Sequence, residues 1–233
     1  MPLLSDPQFW LVLGQITLIN VVLSADNAIV IALAARSLPA HQQQQAVVYG
    51  AGAVIAVRIA LTLLAAELLK WPYLKLIGAL LLLWIAVKLL VTEDSEAPVA
   101  GSHRLPGAIK TILLADVVMS LDNILAVAAA ARGDTAALTA GLMLSIPLVI
   151  FCASLLMKLM QKWPAIIAVG AALLGWVAGD LLVSDPVWSD WLAAHLPWLH
   201  VHAGEAFGFK IGFSWAQVAG AMAVLAVGKY RRQ

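Results

Sequence analysis

Seven long apolar runs, at about residues 9–35, 46–69, 73–91, 108–131, 136–160, 164–183 and 215–227, alternate with short polar connections along the chain. Most approach the roughly 20 residues that carry an α-helix across the hydrocarbon core of a bilayer. The last is shorter, and is expected to tilt little or to lie sheltered by its neighbours. None shows the strict in-and-out alternation of a barrel strand, and a backbone in lipid must pair its own polar groups, so each run is predicted to be helical. The expected fold is an all-α polytopic membrane protein with seven transmembrane helices.

Composition sharpens this picture. Of 233 residues, 63% are hydrophobic and only 12% are charged, and the mean hydropathy is +0.94. A soluble domain of that length needs a more polar exterior, so the lipid bilayer is the first expected partner. The first run has no basic leader and carries Asp26 past its middle, so it is expected to remain in the mature protein rather than to be cleaved as a signal peptide. A single cysteine, Cys152, provides neither a disulfide framework nor a thiolate metal site, and core packing is its expected role. The net charge of +1 offers no basic face for nucleic acid, and nothing in the pattern specifies an oligomer. Nine Lys and Arg residues, Arg36, Arg104 and Arg232 among them, fall in connections on the side of the C-terminus. The opposite side holds four, Lys70, Lys75, Arg132 and Lys210. That bias predicts an outside N-terminus and a cytoplasmic C-terminus.

The chain also repeats itself. Residues 22–36 match residues 118–132 at 8 of 15 positions, with Ser24, Asp26, Asn27 and Arg36 recurring as Ser120, Asp122, Asn123 and Arg132. Lys70-Trp71-Pro72 returns as Lys162-Trp163-Pro164, Gly78 as Gly170 and Trp84 as Trp176. Each copy holds three helices, an odd number, so the second must enter the membrane from the opposite face, making an inverted 3+3 repeat plus one C-terminal helix. The expected organisation is a first repeat over residues 1–92, a cytoplasmic linker over 93–107, a second repeat over 108–184, an outer interfacial segment over 185–214, and helix seven with a basic C-terminus over 215–233. In the outer segment, Trp188, Trp191 and Trp198 interleave with Asp and His, a pattern that predicts an amphipathic piece lying in the interface.

Charged side chains inside spanning helices cost at least a few kcal/mol and therefore face a partner or a path. Here Asp26, Asp116 and Asp122 fall in helices one and four and Arg58 in helix two, with Asn20, Asn27, Asn123, Ser24 and Ser120 adding neutral oxygens. The set is almost wholly oxygen donors, which suits a hard or borderline divalent cation such as Mn²⁺, Mg²⁺ or Ca²⁺. Asn20 and Asp26 are six residues apart, as are Asp116 and Asp122, so each pair lies about 120° apart on a regular helix. Both members touch one ion only if the helix unwinds there. Three carboxylates, one divalent cation and Arg58 sum to zero, and removing the metal leaves charge for protons or Arg58 to offset, which points to cation-for-proton exchange.

Alternatives stand beside this reading. Ser24 and Asn27 can be helix-helix glue, with Asp26 and Asp122 pairing with Arg58 to lock the bundle. Glu67 and Asp180, near helix ends, are either pathway carboxylates or snorkelling interface residues. His195, His200 and His202 are expected in a solvated loop, and Met119, Met157 and Met160 in the core. No G-x-S-x-G or H-E-x-x-H occurs, and all five His fall in loops, so neither an enzyme nor a permanent cofactor is expected.

The stretches NVVLSADNAIVIALAAR and DVVMSLDNILAVAAAAR, set among seven hydrophobic segments, resemble the TerC family of bacterial integral membrane proteins over nearly the whole chain. The resemblance implies the LysE-type transporter superfamily, residence in the bacterial inner membrane, and export of manganese. It places the family's acidic motifs on Asn20 to Asn27 and on Asp116 to Asn123. Many members carry Glu where this chain has Asn20, which removes one carboxylate and bears on selectivity and proton stoichiometry. The expected function is export of Mn²⁺ against protons, with Asp26, Asp116, Asp122, Asn20, Asn27 and Asn123 as metal ligands, and Arg58, Ser24, Ser120, Asp180 and Glu67 as counter-charge or pathway groups. Export of another small solute, and assembly work that supplies metal to exported proteins, are the alternatives.

Overall fold

The computed structural model describes residues 25–64, 71, 73–91, 104–131, 135–196, 200–206 and 209–231, with positions 10, 13, 14 and 17. Side chains are described for these residues except 25, 63, 104, 121–131, 135–138, 193, 200–206 and 209–213. Within this set the chain forms helices α1 (Ala25–Ala35), α2 (Ala40–Leu63), α3 (Leu74–Val91), α4 (Arg104–Ala131), α5 (Thr135–Lys162), α6 (Ala165–Val183), α7 (Ser189–His195) and α8 (Trp215–Arg231). Strands β1 (His200–Ala206) and β2 (Phe209–Ser214) precede α8 and pair antiparallel, from His200 opposite Ser214 to Ala206 opposite Phe209. The membrane part is helical, as expected. Within the segment expected to lie in the interface, the chain forms the short helix α7 followed by this strand pair, in which Val201, Phe209 and Phe213 are strand-favouring residues.

Among the described residues, α2, α3, α5 and α6 are long and apolar enough to cross a membrane. The stretch from Asp26 to Ala35 is a shorter apolar helix, and α8 has 17 residues. Trp84, Phe151, Leu144 and Met222 are largely exposed, a disposition suited to lipid chains.

The helices gather into two compact units: α1, α2, α4 and α5 in one, and α3, α6, α7, the hairpin and α8 in the other. Each unit therefore draws on both sequence copies. The first takes the leading helices of each copy, and the second takes the third helix of each with the extra C-terminal helix.

In the first unit, α2 packs on α4 and α5, and α1 on α5, α2 and α4. Ile31, Leu33, Val47, Ile112 and Leu142 are fully buried. Pro39 stops α1 from continuing, and the Gln43 amide nitrogen donates to the carbonyls of Arg36 and Leu38, which satisfies the chain reversal into α2. Gly50 lets α4 approach closely, because a Cβ there would lie 2.9 Å from Ile112 Cδ1. Eight residues further on, Arg58 meets Asp116 and Ser120. Both contacts advance together along the two helices, so α2 and α4 run parallel. In α5, Pro147 lies inside the helix and removes one backbone donor.

In the second unit, α6 packs on α3 and α8. The pattern Gly175-x-x-x-Gly179 on α6 faces Ala216-x-x-x-Gly220 on α8 so closely that a Cβ on Gly175 would lie 2.5 Å from the Gly220 carbonyl oxygen, and one on Gly179 would overlap that of Ala216. Small residues of this kind let membrane helices touch backbone to backbone. The pairing runs Gly175 to Gly220 and Gly179 to Ala216, so α6 and α8 are antiparallel. Gly228 meets Leu90, which places the C-terminal ends of α3 and α8 together.

Candidate functional site

The charged residues expected at the heart of the protein meet in the first unit. Arg58, on α2, is held there by a helix otherwise rich in Ala, Val and Ile, and its guanidinium Nη2 lies 2.5 Å from Asp116 Oδ1 on α4. Both side chains are almost fully buried, at 3% and 2% exposure. Arg58 Nε donates to Ser120 Oγ at 3.2 Å, so Asp116 and Ser120, one turn apart on α4, receive two edges of one guanidinium. The Thr62 hydroxyl donates to the Arg58 carbonyl at 2.7 Å.

Asn27 closes the cluster from α1. With its amide oxygen toward Arg58 Nη2 at 2.6 Å, its amide nitrogen stands 3.1 Å from Asp116 Oδ1. The reverse orientation would set oxygen against carboxylate and nitrogen against guanidinium, so the neighbours determine which way the amide points. Asp26 beside it is half-buried, accepts the Asn27 backbone N–H at Oδ1 over 2.8 Å, and lies within electrostatic range of Arg58 and Asp116.

One atom of the cluster stands apart. Asp116 Oδ2 is buried and has no hydrogen-bond partner among the described residues. Burying a carboxylate oxygen without a partner is costly, and such a group in a membrane bundle is an open acceptor for a cation. Among the described residues, no three His, Cys, Asp or Glu side chains converge on one point, so the described donor set is two carboxylates, Asp26 and Asp116, with the amide of Asn27 and the hydroxyl of Ser120.

The other expected site residues fall elsewhere. Asp122 and Asn123 lie on α4, but their side chains are outside the described residues, and Asn20, Ser24 and Glu67 are wholly outside them. The unwinding expected between Asp116 and Asp122 does not occur, because α4 is helical from Arg104 to Ala131. Arg58 reaches Asp116 Oδ1 from the neighbouring helix while the α4 backbone keeps its own helical hydrogen bonds. Asp180 belongs to the second unit, where its Oδ1 accepts from the Gln217 amide at 2.7 Å while Gln217 Oε1 accepts from the Ser214 backbone. The ring of His195 stacks on Trp191 and bonds its carbonyl. Met119, Met157 and Met160 are buried in the cores.

Sequence reasoning passed over Asp185. This residue, 1% exposed, accepts the Leu76 N–H on Oδ2 and the Val187 N–H on Oδ1, tying the first turn of α3 to the end of α6. The one available signal was the Asp-Pro pair directly after an apolar run, a turn-capping combination.

A helical, lipid-facing chain with a hydrogen-bonded ion pair sealed inside one helix unit defines a polytopic membrane protein with an intramembrane polar site. Residues 5–231 match the integral membrane protein TerC family, and the chain belongs to that family. It is similar to the membrane protein YjbE of Bacillus subtilis (strain 168), with 39% identity over 177 residues, covering 76% of this chain and 81% of that one. The membrane protein YceF of the same organism is 29% identical over 185 residues, covering 75% and 72%. The UPF0053 inner membrane protein YgdQ of Escherichia coli (strain K12) is 29% identical over 140 residues, covering 52% and 59%. No solved structure matches the chain.

Proposed function

We propose that this protein is a transporter of the bacterial inner membrane that exports a divalent metal cation, Mn²⁺ foremost, in exchange for protons. The observation that carries the reading is Asp116: a carboxylate inside a helix bundle, with one oxygen held by Arg58 and the other without a partner among the described residues. Intramembrane carboxylates are expensive, and are retained where an ion path uses them. Asp116, Asp26, Asn27 and Ser120 offer oxygen donors only, a set that favours Mn²⁺ or Mg²⁺ over soft metals. In this reading Asp122 and Asn123, about 120° away from Asp116 on the unbroken α4, line the path rather than share its ion, with Asn20 and Ser24 on the segment before α1.

An inverted repeat of three helices, followed by a seventh, gives this arrangement a transport cycle. It requires α2 and α4 to cross in the same direction and α6 and α8 in opposite directions, which agrees with the order of contacts within each unit. Alternating exposure then comes from the two copies exchanging conformations about the shared site. In this arrangement the N-terminus is outside and the C-terminus cytoplasmic.

The test is cation flux in liposomes holding the purified full-length protein, comparing Mn²⁺, Mg²⁺, Ca²⁺ and Zn²⁺ under an opposing proton gradient. Mn²⁺ flux that exceeds the others, depends on the gradient and disappears in folded Asp116→Asn supports the proposal. Metal binding without flux points instead to a protein that hands metal to exported proteins. Absence of both overturns the metal reading.

A further inference from the structure

On the transport reading above, we infer that Arg58 is a tethered counter-cation: its guanidinium holds Asp116 whenever metal is absent and yields the carboxylate only to a divalent ion. The planar guanidinium can match a carboxylate fork to fork, with one N–H for each oxygen. Here Arg58 reaches only Oδ1, and turns its Nε to Ser120 instead. Asp116 Oδ2, buried and without a partner among the described residues, remains as the point where an entering cation first settles.

The neighbours fit an exchange of cations. The Asn27 amide grips both members, its oxygen on Arg58 Nη2 and its nitrogen on Asp116 Oδ1. When the guanidinium withdraws, the amide nitrogen keeps the carboxylate oriented, and the released amide oxygen becomes a donor to the metal. The same holds for Ser120 Oγ, which loses the Arg58 Nε–H and regains a lone pair. The three-carbon stem of Arg58 gives the guanidinium the rotatable bonds for this movement.

Selectivity follows from charge. A monovalent ion that displaces Arg58 replaces one positive charge by another and must also dehydrate, so it gains nothing. A divalent ion doubles the attraction to the carboxylate at the same distance. Arg58 therefore excludes Na⁺ and K⁺, and also gives the metal-free site a charge-compensated form in which it can reorient.

The experiment compares wild type with Arg58→Gln and Arg58→Lys, each full-length in liposomes, reading net Mn²⁺ efflux against Mn²⁺-for-Mn²⁺ exchange, and Mn²⁺ binding with and without excess Na⁺. Exchange never visits the empty state, so Arg58→Gln is expected to lower the ratio of net efflux to exchange by about tenfold. It should also tighten Mn²⁺ binding and make it sensitive to Na⁺. If Arg58→Gln does not fold, Arg58→Lys decides. A compact ammonium grips the carboxylate less specifically, so Mn²⁺ binding should tighten while net efflux survives. Efflux and exchange falling in parallel in a folded variant, or an Arg58→Lys protein whose Mn²⁺ affinity is unchanged or weaker, overturns the role of Arg58 and leaves the transport reading standing. A wild type that neither binds nor moves Mn²⁺ overturns both.

Discussion

Asp116 and Arg58 carry opposite charges and meet inside the helix bundle, so each offsets the charge of the other. Removing one partner of a buried pair leaves an uncompensated charge, at a cost of about 3–5 kcal/mol. Asp116→Asn should therefore lower thermal stability in detergent strongly, and the double variant Asp116→Asn/Arg58→Gln should recover most of the loss. A double variant no more stable than Asp116→Asn would mean that the two do not compensate each other. The duplication does not reproduce this pair. Asp116 aligns with Asn20, and Arg58 aligns with the uncharged stretch 150–154. The candidate residues were legible because a charge in an apolar run is conspicuous at any position. Their partnership was not, because Arg58 and Asp116 lie 58 positions apart and only the packing of α2 on α4 joins them.

At the scale of elements, two glycines of one composition have opposite meanings. A Cβ on Gly52 of α2 meets nothing within 4 Å, whereas one on Gly179 of α6 overlaps the backbone of α8. Gly52→Ala should be neutral or stabilise by up to about 1 kcal/mol, from better helix propensity. Gly179→Ala should destabilise by about 1–3 kcal/mol, because two backbones must separate. Thermal unfolding of the two variants side by side checks the contrast, and equal shifts would contradict the contact. Asp185→Ala should cost about 1–3 kcal/mol, since it strands the Leu76 and Val187 N–H groups. Hydrogen exchange at the start of α3 should rise in that variant. The helices themselves were readable from run length and hydropathy. The hairpin was not, because β1 and β2 are short and lie in a segment whose tryptophans read only as an amphipathic interfacial piece.

For the whole molecule, the proposed topology is directly testable. On a Cys152→Ser background, single cysteines at Ser102 and Asp190 should react with a membrane-impermeant maleimide from opposite faces, Ser102 from the cytoplasmic side. Labelling of both from one face would remove the three-helix inversion. The two compact units also recast the duplication. A copy read along the chain is a linear block, but the first two helices of one copy pack with the first two of the other, and the third helices pair with each other.

Sequence alone determined that this chain lives in lipid, that it is mainly helical, that it is duplicated, and that Asp, Asn and Arg lie within its spans. These follow from composition, run length and internal repetition, which are properties of the chain read in one dimension. Tertiary structure alone decided that Arg58 serves Asp116, that Asn27 bridges them, that Asp180 serves Gln217, and that α4 stays unbroken. Each of these depends on which helix faces move within hydrogen-bond reach, and close approach at positions such as Gly50 and Ile112 settles that only once the chain is folded.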